Sequence, residues 1–375
     1  MIVATYLTLA LIYPDGGMIW ITIIIKIGLG MSYGMAYITV LVYGSEIVEA
    51  YYRGRLLSLQ HILFFIGVFM QSFISDDSLN NIMSRVEVYL FTMSLVIIAL
   101  LCLAWKFNFH YESIVNLFQK EDRESISVGT ANFMSLRQVS MESYIPRTVR
   151  SEWIDLRRLV IEDKDTTSNI FKGKNYRPLI LVFLLRLGFF STFNYALNKA
   201  FIAIALDSFS SENTAKSIYI GIRCVSLCFV PFSIDNRRRL HGYLPLALGG
   251  AILFVVAVFV WQENGSSDIA VAFVIIFQFI SGLGAGVTAD VYASEAFNTK
   301  NKAFSIIVLM SIDFLIHILT FLVSIDEDFT KSIMIWVMVG HGVSLLMIAG
   351  ILYVYLPETS NLTLLKAKNK FIMKR

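Results

Sequence analysis

The chain is short of charge. Only 16% of its 375 residues are Asp, Glu, Lys or Arg, against about 25% in a soluble domain, which excludes an ordinary water-facing surface. The net charge of +3 is scattered through loops without a basic tract, so no nucleic-acid partner is expected. Cysteine is equally scarce. Cys102, Cys224 and Cys228 stand inside apolar stretches, with neither a disulfide framework nor zinc spacing, so no metal site is expected. A Walker-type Gly-rich loop, a His-Glu-x-x-His helix and a Gly-x-Ser-x-Gly elbow are also missing. Neither enzyme chemistry nor a cofactor is indicated.

What fills the chain instead is apolar: 56% hydrophobic, 14% aromatic, with a mean hydropathy of +0.67. About ten apolar segments run over 2–13, 19–43, 55–75, 87–107, 178–205, 215–234, 242–261, 269–293, 303–325 and 332–356, most near the ~20 residues that cross a bilayer. The first is too short, and it lacks the basic start and small-residue cleavage site of a secretory leader. It reads as the remnant of a longer helix. Loops after odd-numbered segments are acidic (Asp15, Asp76, Asp77, Asp207, Glu212, Glu263, Asp268, Asp326, Glu327, Asp328), with only Arg85 and Lys331 as bases. The others hold Arg53, Arg55, Arg237 to Arg239, Lys302 and the tail from Lys366 to Arg375. Because Lys and Arg favour the cytoplasmic side, both termini are expected there. The sequon at Asn264 then falls on the outer side, where glycosylation is expected.

The sequence also repeats itself. Tyr43-Gly-Ser-Glu46 is followed seven residues on by Arg53, and Tyr292-Ala-Ser-Glu295 is followed seven residues on by Lys302. The copies lie 249 residues apart (292 − 43). Each closes a Gly-bearing apolar stretch, with Gly28, Gly30 and Gly34 in one and Gly282, Gly284 and Gly286 in the other. Parallel repeats of helical units are the build of transporters in which two homologous bundles face each other across a substrate path.

These motifs resemble the sugar porters of the major facilitator superfamily. Lys26-Ile-Gly-Leu-Gly, Tyr43-Gly-Ser-Glu46 and Arg53-Gly54-Arg-Leu look like that family's fourth helix and following loop. Tyr111-Glu112-Ser113 with Leu117 is similar to its P-E-S-P-x-x-L segment, Asp235 to Arg239 to its D-x-x-G-R-R loop, and Leu356-Pro-Glu-Thr359 to its closing P-E-T motif. The resemblance implies an all-α membrane protein with a major facilitator fold of two pseudo-twofold-related halves. By the repeat offset, the first-half copy of Asp235 would fall upstream of Met1 (235 − 249 = −14). A ten-segment version of a twelve-helix fold is expected, N-terminally truncated and lacking the first two helices. Its parts would be a bundle over 1–107, a cytoplasmic loop subdomain over 108–177 with Leu156, Leu159, Val160 and Ile161 lining one helix face, a six-helix bundle over 178–356, and a cytoplasmic tail over 357–375.

Where glucose transporters of the family approach sugar hydroxyls with Gln, Asn and Trp, the matching positions here are His61, Phe189, Phe190, Tyr195, Asp290, Asp313 and His317. None is retained, although Gln60 stands beside His61. The expected solute-binding set is therefore Gln60, His61, Tyr195, Asp290, Asp313 and His317. Asp313 and His317 are four apart on one helix face, and a mid-membrane charge costs roughly 2.5–3.5 kcal/mol on insertion scales. They form either a structural hydrogen bond, or a proton-linked or charged-solute site, or they have drifted. Arg186, Lys199 and Arg223 add charge to this region, or snorkel to an interface.

The resemblance assigns an inner gate to Glu46, Arg53, Asp235, Arg238, Arg239, Glu295, Lys302 and Glu358, closing by ion pairs between the halves. Transport of a hexose-like sugar across a lipid bilayer by alternating access is the implied activity. Two alternatives stand beside it: a proton-coupled carrier of another small solute, and a transport-dead paralogue acting through interactions of the 108–177 loop.

Overall fold

The computed structural model describes residues 19–72, 113–120, 122–139, 145–164, 176–206, 208–209, 212–262, 267–323 and 330–372. Helices and their connections make up all of them. The first half contributes α1 (Ile19–Ile47) and α2 (Arg53–Ser72). Three shorter helices follow, α3 (Ile114–Gln119), α4 (Arg123–Leu136) and α5 (Arg147–Lys164). The second half runs through α6 (Tyr176–Thr192), α7 (Tyr195–Ala205), α8 (Glu212–Leu227), α9 (Val230–Ser233), α10 (Arg238–Trp261), α11 (Ser267–Gly282), α12 (Ala285–Ala296), α13 (Lys302–Val323) and α14 (Lys331–Tyr355), and α15 (Leu364–Ile372) ends it.

Among the described residues, six stretches between Tyr176 and Tyr355 are long and apolar enough to cross a bilayer, and they follow the six apolar segments expected there. In the first half α1 and α2 take up the segments expected at 19–43 and 55–75. The segments expected at 2–13 and 87–107, and the sequon at Asn264, lie outside the described residues. The outer helices keep apolar side chains outward: Phe314 and Leu319 on α13, Trp336 and Met347 on α14 are all exposed. Only 17% of the Lys302–Thr320 span is covered by protein. Such a surface is stable against lipid and not against water.

Three of the spans are broken, the one over Thr214–Ser233 by a turn at Cys228 and Phe229 between α8 and α9. Between α6 and α7 the chain turns extended at Asn194, whose side chain accepts from the Leu197 amide at 2.8 Å and restarts the helix. Between α11 and α12 the break is Gly284, with φ +124°, which a residue with a Cβ rarely adopts. The Leu283 carbonyl freed there is met by His241 Nδ1 at 2.7 Å. Every residue of α12 is buried, and its Ala and Gly positions let neighbours approach closely. The two halves meet where α1 and α2 pack against α8, α9, α12 and α13.

The short helices form a cap over one end of the bundle. Ile114, Val115, Phe118, Phe133, Leu156, Leu159 and Val160 share a core with Leu364 and Leu365 of the tail. Ile161, expected on the same face, is instead 59% exposed. The buried stripe of α5 continues backwards through Trp153 and Val149, a spacing of three and four that Ile161 does not share. Asp122 caps α4, accepting from the Ser125 amide at 2.5 Å and hydroxyl at 2.9 Å. Those bonds hold its carboxyl below the usual carboxylate range.

Candidate functional site

At the cap end, six buried charges from both halves meet. Arg53 Nη1 donates to Glu295 Oε1 at 2.7 Å, and Arg238 Nη1 donates to the same oxygen at 2.5 Å. Arg238 Nη2 donates to Asp235 Oδ1 at 2.8 Å. Asp235 in turn accepts from the amides of Gly54 at 2.9 Å and Arg55 at 3.1 Å, so a second-half carboxylate caps the first turn of first-half helix α2. Gly54 permits this, since a Cβ there would collide with the Asp235 carboxylate. Lys302 Nζ lies 3.9 Å from Glu46 Oε1 and 3.3 Å from Ser45 Oγ, and Glu46 also accepts from the Ser113 hydroxyl. Arg53, Arg238 and Lys302 against Asp235, Glu295 and Glu46 balance to zero, and all six are buried. A neutral buried cluster holds together because losing one member of a direct pair, such as Glu295 with its two arginines, strands the partner at about 3–5 kcal/mol.

Two expected members stand apart from these pairs. Arg239 points its guanidinium at the Tyr353 carbonyl and ring, and Glu358 accepts from the backbone amides of Arg239 at 3.1 Å and Ser360 at 3.0 Å. Glu358 thereby fastens the tail to α10, and Arg239 ties α10 to the end of α14. The cap reinforces the same end: Arg137 donates to the Ile47 carbonyl at 2.7 Å while gripping Glu152 at 2.9 and 3.0 Å. Asp163 accepts from the Thr299 amide and hydroxyl, each at 2.6 Å, and from Lys368.

Deeper in the bundle a second buried cluster spans five helices. Arg186 on α6 bridges Asp290 on α12 at 2.7 Å and Asp313 on α13 at 2.8 Å. The other Asp290 oxygen meets His61 Nε2 of α2 at 2.6 Å and the Tyr37 hydroxyl of α1. Thus Asp290 joins the halves, as Glu295 does nearer the cap. The pairing expected between Asp313 and His317 does not form, because Asp313 faces inward to Arg186 while His317 is exposed, its ring 4.4 Å from that of Phe190. Gln60 Oε1, Arg186 Nε and Asp313 Oδ1 are buried without hydrogen-bond partners.

Tyr195 lies elsewhere, at a cavity of about 450 Å³ lined also by Val68, Phe193, Lys199, Arg223 and Gln278. Phe189 connects the two regions, touching the His61 ring at 5.7 Å and the Arg223 guanidinium at 5.7 Å. Sequence reasoning missed Tyr37, Ser45, Arg137 and Asp163. For Tyr37 a signal existed, since Tyr37, Leu41 and Ser45 recur at four-residue spacing on the inward face of α1.

Over residues 1–371 the sequence matches the profile of the family described as "Sugar (and other) transporter". The fold is similar to a double-tryptophan mutant of XylE, with TM-score 0.72, 18% identity, and coverage of 93% of this chain and 73% of that one. It is likewise similar to XylE, the proton:xylose symporter of the major facilitator superfamily, bound to 6-bromo-6-deoxy-D-glucose (TM-score 0.69, 15% identity, the same coverage). No curated protein sequence matches. The six charges of the cap end fall on the motifs Tyr43 to Arg53, Asp235 to Arg239 and Tyr292 to Lys302, and the protein is a multi-pass membrane transporter that belongs to the sugar (and other) transporter family.

Proposed function

We propose that the chain passes a hexose-like sugar across the plasma membrane by alternating access, with the cap and both termini cytoplasmic. The observation that carries this reading is the set of buried cross-half ion pairs at the cap end of the bundle, Arg53–Glu295 and Lys302–Glu46. Pairs of this kind hold the two halves together only while that end is shut. Breaking them lets the halves separate there and frees a central path toward the cytoplasm, and remaking them closes it. The buried state of all six charges corresponds to a closed inner gate, with the cavity beside Tyr195 facing the outer side. Gln60, His61, Asp290 and Asp313 then lie between gate and cavity, where solute hydroxyls meet the unpaired oxygens of Gln60 and Asp313. His317 and Tyr195 flank that route.

A second reading, coupling to protons, draws on the same cluster. Tyr37, His61, Arg186, Asp290 and Asp313 face one another across the halves, so a change of protonation at one alters how firmly the halves are joined. Uptake of labelled hexose into vesicles containing the protein tests both readings. Transport predicts saturable uptake above protein-free vesicles; coupling predicts that an inward proton gradient raises it and that Asp313→Asn removes the rise. Uptake that ignores the gradient rejects coupling. No uptake of any hexose by protein shown to be folded in the membrane rejects transport.

A further inference from the structure

Arg223 is a buried cation without a carboxylate partner among the described residues. It is 1% exposed. Nη1 donates to the Thr192 carbonyl at 3.1 Å and the Gln278 Oε1 at 3.3 Å, Nη2 donates to the Thr192 hydroxyl at 2.8 Å, and Nε has no hydrogen-bond partner. The rings of Phe65 and Phe193 stand 5.0 Å from the guanidinium, and that of Phe189 5.7 Å. Rings and neutral acceptors orient the group and soften its desolvation, but they leave its charge uncompensated. Arg186, by contrast, holds two carboxylates.

The position of this charge is what gives it a use. Arg223 lines the 450 Å³ cavity together with Tyr195, Asn198, Lys199, Lys216 and Gln278, a volume within the range of small-molecule sites. Lys216 is paired with Glu212 four residues before it. The cavity therefore offers hydroxyl- and amide-bearing side chains for a polyol, aromatic rings for its apolar faces, and one fixed guanidinium at its buried end. A guanidinium is the group best shaped to receive a carboxylate or phosphate.

We propose that Arg223 is the receptor for an anionic oxygen group of the transported solute, a hexose-sized polyol bearing a carboxylate. The proposal rests on the transport reading for its direction, and on the cavity alone for its chemistry. Closing the site on an anion would complete the pairing that Arg223 lacks, as an internal carboxylate completes Arg186.

Binding to the purified full-length protein, read by thermal shift and by displacement of labelled ligand, tests this with D-glucuronate, D-glucose, D-glucose 6-phosphate and sodium chloride as probes. Glucuronate should bind about thirtyfold or more tightly than glucose, the low end of the loss on removing one partner of a buried charge pair. Arg223→Gln should erase that preference, bringing glucuronate binding to the level of glucose in the same variant. Because Arg223→Gln removes an interhelical tie, Gln278→Glu serves as the second variant. It places a carboxylate beside the guanidinium and should also abolish the preference. Tighter binding of the phosphate than of glucuronate would assign the same site to a phosphorylated sugar. Glucuronate no tighter than glucose, a preference that survives both variants, or chloride matching glucuronate would overturn the proposal. Glucose uptake with no anion preference removes this site and leaves transport standing. Arg223-dependent glucuronate binding without uptake of any sugar does the reverse.

Discussion

The two copies of the Tyr-x-Ser-Glu repeat occupy equivalent places and make unequal bonds. Glu295 of the second copy receives two arginines, Arg53 at 2.7 Å and Arg238 at 2.5 Å. Glu46 of the first receives Lys302 at 3.9 Å, too far for a direct hydrogen bond, and completes itself with the Ser113 hydroxyl. Arginine's planar fork can reach a carboxylate, a backbone carbonyl and a second acid at once, whereas lysine acts as a compact point charge. Arg238 does this with Glu295, the Thr359 carbonyl at 3.4 Å and Asp235, and Arg53 adds the Ser45 carbonyl at 3.2 Å to its bond with Glu295. The buried cluster thus has a rigid seam around Glu295 and a looser one around Glu46, the latter tied to the cap through Ser113.

The largest effect is expected at the rigid seam. Glu295→Gln leaves Arg53 and Arg238 buried without their shared acid, and should cost the closed gate about 3–5 kcal/mol. In a chain whose three cysteines are replaced by serine, a cysteine at Ala293 should then label readily from the cap side. Protection equal to that of the parent would reduce these charges to helix ends. A smaller effect follows at the loose seam, where Lys302 stands 3.9 Å from Glu46 and keeps the Ser45 hydroxyl when that acid is lost: Glu46→Gln should cost about 1.5–3 kcal/mol, as for a hydrogen bond to a charged group, with a correspondingly smaller gain in labelling at Ala293. Lys302→Arg should tighten it and lower labelling below the parent. If Glu46→Gln opened the gate as fully as Glu295→Gln, the two seams would be equal and the comparison would fail.

Much of this architecture was legible from the residues. That Glu46, Arg53, Glu295 and Lys302 belong to one set of charges was suggested by a glutamate and a base recurring at one spacing in both halves, which no local packing rule requires. The apolar runs of the second half were readable from length alone. The partner of Asp313 was not. Linear spacing places Asp313 and His317 on one face of α13, but the competing base, Arg186, lies 127 residues away on α6. Arg239 misled for a related reason: three arginines in a row share composition, and only the turn into α10 decides that Arg238 faces Glu295 while Arg239 faces Tyr353. Ile161 sat one residue beyond the buried register of α5.

The smallest effect belongs to the cap. The Asp122 carboxyl is held below its usual range by Ser125, so its contribution to α4 is present above the unfolded carboxylate pKa. It is lost as pH falls through the lower folded value. Hydrogen exchange at the Ser125 and Ile126 amides should accelerate on that acid side relative to the rest of α4, and Asp122→Ala should abolish the pH dependence. Exchange that tracks pH identically in Asp122→Ala would remove the cap from the account.

The central claim is that the Glu295 seam holds the two halves shut at the cap end. The direct measurement is the distance distribution between spin labels at Tyr51 and Asn236, exposed residues on opposite halves beside the seam. The account predicts one short distance in the parent, a dominant longer population in Glu295→Gln, and a minor longer population in Glu46→Gln. Identical distributions in all three would contradict it.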